Sequence, residues 1–353
     1  MAEKPPKGMV TVEQIGGFDA VIDARAPAEF AEDHLPGAVS MPVLDDEQRA
    51  RVGTMYKQVS AFEAKKLGAA LVARNIADHI ERHLLDKPKA WRPLVYCWRG
   101  GQRSGAFSHV LREIGWDAQR LQGGYKAWRR HVVEHLAQLP GAFGFRVVSG
   151  ATGSGKSRLL EALAARGGQV LHLERLAAHK GSVLGELPGE AQPSQKAFES
   201  RLLGELSALD PKRPVFVEAE SRKIGRLQVP DALLAAIRAA PALRLEATLP
   251  ARVAFLLRDY DYAVADPAWL VERIGHLGGL HSRDTLERWR ALAAARDFHA
   301  LVEELLTRHY DPLYERSQAK NYRSFETAAR YATERLDDGT LGGIAAEILA
   351  TEG

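Results

Sequence analysis

Gly150-Ala-Thr-Gly-Ser-Gly155-Lys156-Ser157 satisfies G-x-x-x-x-G-K-[ST] and sits between an apolar run, Phe145–Ser149, and a helical pattern, Ser157–Ala165. Strand, glycine loop and helix in that order constrain this stretch to a parallel α/β unit. The loop's backbone N–H groups converge on an anion only when a helix begins where the loop ends. Thr152, Gly153, Ser154, Gly155, Lys156 and Ser157 are the expected diphosphate cradle, with Lys156 neutralising distal charge and the Ser157 hydroxyl able to ligate Mg²⁺. A plain glycine-rich turn with this wording would arise by chance in about one chain in a hundred of this length. The acidic partner of such a loop belongs at the end of another strand. Glu218, closing Pro214-Val-Phe-Val-Glu218 with Glu220 two positions on, fits that place. Ser157 and Glu218 are thus the expected Mg²⁺ ligands, against the plainer reading of a strand-end carboxylate facing solvent. No lid arginine or base-recognition motif stands out, so the motif specifies a diphosphate more firmly than ATP.

The rest of the chain extends the α/β pattern in both directions. Short apolar runs at Ala20–Ile22, Leu94–Tyr96 and Ala118–Leu121 alternate with helical stretches at Lys66–Leu85, Ser104–Ile114 and Tyr125–Leu136. This alternation predicts a mainly parallel sheet over residues 12–137. The breaker-rich segment 138–144 reads as a linker. Strand candidates at Gln169–Leu173, Pro214–Val217 and Leu243–Thr248 complete a P-loop domain over 145–250. Residues 251–353 read as helical, with apolar spacing of three and four in runs such as Leu286–Arg296, and are expected to pack on the P-loop domain. The predicted fold class is therefore α/β: an N-terminal α/β domain, a P-loop α/β domain with a parallel sheet, and a helical C-terminal extension.

Composition narrows the chemistry. The 353 residues include one cysteine, which excludes an internal disulfide framework and a cysteine-cluster zinc or iron–sulfur site. With 48 Lys+Arg against 45 Asp+Glu, the net charge of +3 does not by itself mark a nucleic-acid binder. No stretch approaches the ~18 uninterrupted apolar residues of a membrane span, and the start of the chain lacks an apolar targeting core. The expectation is a soluble, cytoplasmic protein with no membrane partner.

That single cysteine ends an apolar strand in Val95-Tyr-Cys97-Trp-Arg99-Gly100-Gly101-Gln-Arg103-Ser, ahead of a helical pattern. A loop so placed can turn its N–H groups toward the sulfur, and the helix N-terminus adds positive potential. Arg99 and Arg103 can supply charge and bidentate hydrogen bonds to an oxyanion. Cys97, Arg99, Gly100, Gly101 and Arg103 form the expected catalytic loop. The plainer alternative is a buried cysteine beside surface arginines.

Asp23-Ala-Arg25, Glu29-Phe30, His34-Leu-Pro-Gly-Ala-Val39 with Pro42, and Gly123-Gly-Tyr-Lys-Ala-Trp128 resemble the rhodanese family over residues 12–137. The resemblance implies that Cys97 carries a persulfide or related chalcogen. The spacing Cys97 to Arg103 is C-x5-R, one longer than in many rhodaneses and like that of the related cell-cycle phosphatases, so a larger anion fits the loop. The segment Gln48–Ala70 is also longer than a minimal rhodanese needs.

A rhodanese-like domain joined to a P-loop domain carrying Leu173-Glu-Arg-Leu-Ala-Ala-His179-Lys-Gly181-Ser182, Gln192-Pro-Ser-Gln195 and Glu218-Ala-Glu-Ser221-Arg-Lys-Ile-Gly225 resembles the bacterial tRNA 2-selenouridine synthase family. Arg175 stands where that family has a glycine, and no role is expected of it. The resemblance implies replacement of sulfur by selenium in wobble 2-thiouridine of tRNA. The selenium donor would be selenophosphate, handed over by its synthetase, and the route would run through an S-geranyl intermediate made from geranyl diphosphate. It implies no tightly bound cofactor beyond Mg²⁺. For tRNA contact the candidates are Arg222, Lys223, Arg226, Trp289, Arg290, Tyr322 and Arg323, where cations lie beside aromatics able to stack on bases. Solvated helix faces are the plainer reading of each. A P-loop NTPase or kinase with a sulfur-carrier domain, and a phosphatase-like anion-binding module, remain as alternatives.

Overall fold

A computed structural model describes residues 6–182, 184–314, 316 and 327–352. The chain forms two compact units. One comprises the chain up to His135 together with Ser194–Gly204, and the other comprises Leu136–Pro193 and everything from Glu205 onward.

The first unit runs β1 (Met9–Val10), β2 (Ala20–Asp23), α1 (Pro27–Glu32), β3 (Ala38–Ser40), α2 (Asp46–Gln58), α3 (Ala61–His83), β4 (Pro93–Tyr96), α4 (Gln102–Ile114), β5 (Gln119–Leu121) and α5 (Gly124–Gln138). Its five strands are parallel in the order β1-β5-β4-β2-β3. Strands covered on both faces carry continuous apolar runs, as Pro93–Tyr96 does with all four residues buried. Ile22, Val95, Phe107, Leu111 and Trp116 lie in one core cluster. The chain leaves β2 toward one sheet edge and β4 toward the other. The crevice at that reversal lies at the carboxyl ends of these two strands, where open α/β sheets place their ligands. Cys97 follows β4 directly.

The second unit contains β6 (Phe145–Ser149), α6 (Lys156–Ala165), β7 (Gln169–Leu171), α7 (Leu173–Ala177), the end of α8 (Gln195–Ala208), β8 (Val215–Glu218), a short hairpin of β9 (Lys223–Ile224) and β10 (Leu227–Gln228), α9 (Asp231–Ala239) and β11 (Ala242–Ala247). Helices α10 (Leu249–Asp259), α11 (Asp261–Ala265), α12 (Pro267–Gly275), α13 (Arg283–Ala294) and α14 (Phe298–Leu305) follow, then a π-helical turn over Leu306–Tyr310. Among the described residues the C-terminal region is helical as expected, apart from one strand. Ala329–Thr333 forms β12, which pairs in parallel with β11 and gives the order β12-β11-β6-β8-β7. Its sequence, Ala-Arg-Tyr-Ala-Thr, is largely exposed and carries no apolar run, so an edge strand there leaves little trace in hydropathy. The last helix, α15 (Asp338–Glu352), packs on the sheet with α6 through Leu341, Ala345 and Ile348.

The sequence pattern places all of α8 in the stretch 145–250, yet Ser194–Gly204 packs within the first unit. Ser200 donates to Asp33 at 3.0 Å, Lys196 pairs with Glu32 at 2.6 Å, and Arg129 pairs with Glu199. Such a piece is invisible to a reading that follows chain order. No helix among the described residues is long and apolar enough to cross a membrane.

Candidate active sites

Cys97 is 3% exposed, with its sulfur 3.2 Å from the Ser104 hydroxyl on the first turn of α4. The first N–H groups of any helix lack intrahelical partners, so the sulfur lies beside a donor-rich end. The loop is held from the other side by α5. The Tyr125 and Lys126 amides donate to the Cys97 and Trp98 carbonyls at 2.8 and 3.0 Å. Gly124 makes that approach possible: its φ is +59°, and a Cβ there would stand 2.2 Å from the Cys97 carbonyl oxygen. The Gly-Gly of Gly123-Gly-Tyr thereby fixes the cysteine loop.

The resemblance motifs find physical roles around this loop. Asp23 and Arg25 are buried and paired at 2.6 Å, and the Arg25 guanidinium lies 4.0 Å from the Tyr125 ring centroid. Arg25 also donates to the Asp33 carbonyl, Tyr96 donates to Asp23, and Tyr125 donates to Asp33 at 2.8 Å. Burial raises both phenols, and the adjacent carboxylates raise them further, so they stay protonated donors. Breaking one partner of such a buried pair leaves a charge uncompensated.

Of the expected loop, Gly100 and Gly101 form the turn into α4, and Arg99 is exposed. Arg103 departs from expectation. Its guanidinium is committed to Glu29 of α1, with Nη1 2.7 Å from Oε2, and is not free for an oxyanion. Burial would raise Glu29, but the Arg103 hydrogen bond and charge outweigh it and hold the carboxyl below its usual range. The partner is 74 residues away, so the spacing within the loop could not show it.

The P-loop follows β6 as predicted, and Gly155, with φ +86°, caps α6. The Lys156 ammonium donates to the Gly150 and Ala151 carbonyls at 2.8 and 3.4 Å. Arg252 braces the loop by donating to the Thr152 carbonyl at 2.8 Å while its guanidinium forks onto Asp311. Glu218 lies where strand pairing puts it, opposite Val148 beside the loop, but it is not on Ser157. One of its oxygens accepts from the Leu173 amide at 3.0 Å, and the other is buried without a hydrogen-bond partner. The carboxylate on the Ser157 hydroxyl is Glu174 of α7, at 2.8 Å. Reading strand ends alone missed it, because it arrives on a short helix after β7. Burial and the neighbouring Glu218 raise Glu174, and burial with Glu174 raises Glu220 well above the usual range. Burial also pulls Lys156 down despite the three carboxylates around it.

These shifts give a pH prediction. A carboxyl whose folded pKa is raised contributes stability that is complete below its unfolded value and is lost as pH rises through the folded one. Glu174→Gln removes that loss. In thermal unfolding of the ligand-free protein, the variant is expected to match the parent near pH 4 and exceed it increasingly toward pH 8. A parent-like melting temperature across the range would contradict the shift.

The P-loop opens on a cavity of about 660 Å³ walled by Lys156, Glu174, His179, Lys180 and Tyr260, among others. Lys180 pairs with Asp259 at 2.5 Å and stacks over Tyr260 at 4.0 Å. The π-helical turn contributes His309 and Tyr310 to the same wall. Burial, aided by His281, lowers His309 to about 4, which keeps it neutral near pH 7. Beside this cavity lies a smaller one of about 80 Å³, sharing Thr152, Ser182, Leu256, Tyr260 and Tyr310 with it and otherwise walled by side chains such as Val264, Trp269, Phe298 and Val302. A largely apolar compartment therefore adjoins the P-loop.

The nucleic-acid candidates separate. Trp289 is fully buried, stacks edge-on with His281 and donates to Glu304, so it cannot stack on a base. Arg290 beside it is exposed. Arg222 pairs with Asp231 at 3.0 Å, Lys223 is exposed, and Arg226 binds the Gln192 and Pro193 carbonyls. Tyr322 and Arg323 lie outside the described residues.

A model of the rhodanese-like domain matches residues 11–131, and one described as the tRNA 2-selenouridine synthase AAA domain matches residues 143–282. A tRNA 2-selenouridine synthase of Marinobacter nauticus is 35% identical over 327 residues, covering 84% of this chain and 87% of the relative. Proteins of the same description from Bdellovibrio bacteriovorus and Cupriavidus pinatubonensis are each 33% identical, covering 83% and 85% of this chain and 87% and 89% of theirs. Among solved structures, the N-terminal domain of a putative ATP/GTP binding protein from Clostridium difficile is 33% identical over 35% of this chain and 98% of its own, with a TM-score of 0.32.

Proposed function

This chain belongs to the tRNA 2-selenouridine synthase family, and from that premise we propose that it exchanges sulfur for selenium at wobble 2-thiouridine of tRNA, using geranyl diphosphate and selenophosphate. In the first step the thiocarbonyl sulfur attacks C1 of geranyl diphosphate. The C–S bond forms, the C–O bond breaks, diphosphate departs and the base loses its N3 proton. In the second, the selenium of selenophosphate attacks C2 of the base. The C–Se bond forms, geranylthiol leaves with a proton, and water cleaves the P–Se bond to release phosphate. Geranylation makes the departing sulfur a neutral thiol, a far better leaving group than sulfide.

The apolar compartment beside the P-loop carries the geranyl reading. A nucleotide would present a sugar and a base edge to that wall, where polar groups would go unpaired at a cost of about 1–3 kcal/mol each. A prenyl chain has no polar group for that wall to strand, and at about 80 Å³ the compartment takes part of its ten carbons, the rest lying in the adjoining cavity. Lys156 and the loop amides meet the diphosphate. Glu218, whose Oε1 accepts no hydrogen bond and lies 3.7 Å from His172 Nδ1, and the Ser157–Glu174 pair fit a hard cation, which keeps most of its waters and takes one or two carboxylates with phosphate oxygens. Mg²⁺ bound there would be held by Ser157 and Glu174 and would supply countercharge for the leaving diphosphate. Cys97, in its donor-rich loop, is the place for selenium delivery.

Competition binding tests the reading. Geranyl diphosphate is expected to raise the melting temperature and to be displaced weakly by ATP. Equal or tighter binding of ATP would favour an NTPase in its place.

A further inference from the structure

The segment around Gln48–Ala70 that exceeds a minimal rhodanese forms the α2–α3 hairpin. Its geometry is well determined by its own residues. Asp45 accepts from the Gln48 amide at 2.7 Å and Ser60 from the Glu63 amide at 3.3 Å, so each helix has its own N-cap. The helices pack closely at Gly68, where a Cβ would stand in ordinary contact with Val52 at 3.4 Å. The tip is therefore a built element. Yet it presents Tyr56, Val59 and Phe62 at 54, 75 and 67% exposure within seven residues. Around them stand Arg51, Lys57, Lys65 and Lys66 against a single acid, Glu63, over residues 51–66. Lys66 pairs with Glu63 and stacks on Phe62, while Arg51, Lys57 and Lys65 make no ion pair among the described residues.

Exposed rings flanked by unpaired cations match the chemistry of RNA: bases stack on aromatics, and phosphates meet lysines. We infer that this hairpin tip is a docking surface for the tRNA substrate, with Tyr56 and Phe62 as stacking platforms and Lys57 and Lys65 on the backbone. The inference rests on the tRNA-modifying reading above. A protein partner fits less well, because lysine is depleted at protein–protein interfaces and three lysines flank these rings.

Filter binding of full-length protein to unmodified tRNA over a salt series tests it. Tyr56→Ser with Phe62→Ser is expected to weaken binding on the order of ten- to a hundredfold. Lys57→Glu with Lys65→Glu should lower the slope of log affinity against log salt by about one to two. Tyr56→Phe with Phe62→Tyr, which keeps the rings, should bind like the parent. All six substitutions are at exposed positions, and melting temperatures check the folds. Affinity within twofold of the parent for both disrupting variants overturns the inference. So does a concentration-dependent self-association of the parent that the serine variant abolishes while tRNA affinity holds, which would make the tip an interface between copies. A parent that binds no tRNA at all would instead contradict the functional reading itself.

Discussion

Cys97→Ser should eliminate selenium incorporation, on the order of 10³-fold or more, while leaving S-geranylation of 2-thiouridine tRNA nearly at the parent rate. The hydroxyl is similar in size and can keep the contact to Ser104, so the fold should persist. What is lost is the thiol at the donor-rich end of α4, beside which selenophosphate is positioned for its attack on the base. The two reactions separate because the phosphate cradle and the cysteine loop are built in different units. Nucleoside analysis of tRNA treated with geranyl diphosphate, with and without selenophosphate, reads both products. Equal loss of both would refute the division of labour.

Lys156→Ala is expected to do the converse and impair geranylation by about ten- to a hundredfold. A hydrogen bond to a charged group is worth ~1.5–3 kcal/mol, and no other lysine stands in the loop to replace it. The two carbonyls that Lys156 engages, Gly150 and Ala151, would be left to water, so some loosening of the loop adds to the loss. Saturation with geranyl diphosphate is the measurement. An unchanged half-saturation and rate would place the diphosphate elsewhere.

Features written in contiguous residues are legible in the sequence itself. The P-loop and the cysteine loop each encode strand, turn and helix in one stretch, and both turns form as their glycines require. Features assembled from distant residues are not. Glu174 reaches Ser157 from a helix of five residues, and Glu29 captures Arg103 from the other side of the sheet crevice. Trp289 shows a different limit. Trp289 and Arg290 are adjacent in sequence but about 100° apart around a helix, so one is core and the other solvent. The spacing of Trp289 to Ala293, both buried, marks the inward stripe and argues against a stacking role. The α2–α3 hairpin was visible only as extra length, because its exposed rings read from sequence like any amphipathic face.

A protein that installs selenium at the tRNA wobble base must leave that base without selenium when its gene is removed. Mass spectrometry of wobble nucleosides from selenium-supplied cells with and without the gene tests it most directly. The predicted result is loss of 2-selenouridine with 2-thiouridine retained, restored by the parent gene and not by Cys97→Ser. Undiminished 2-selenouridine in cells lacking the gene and any other copy of it would contradict the claim.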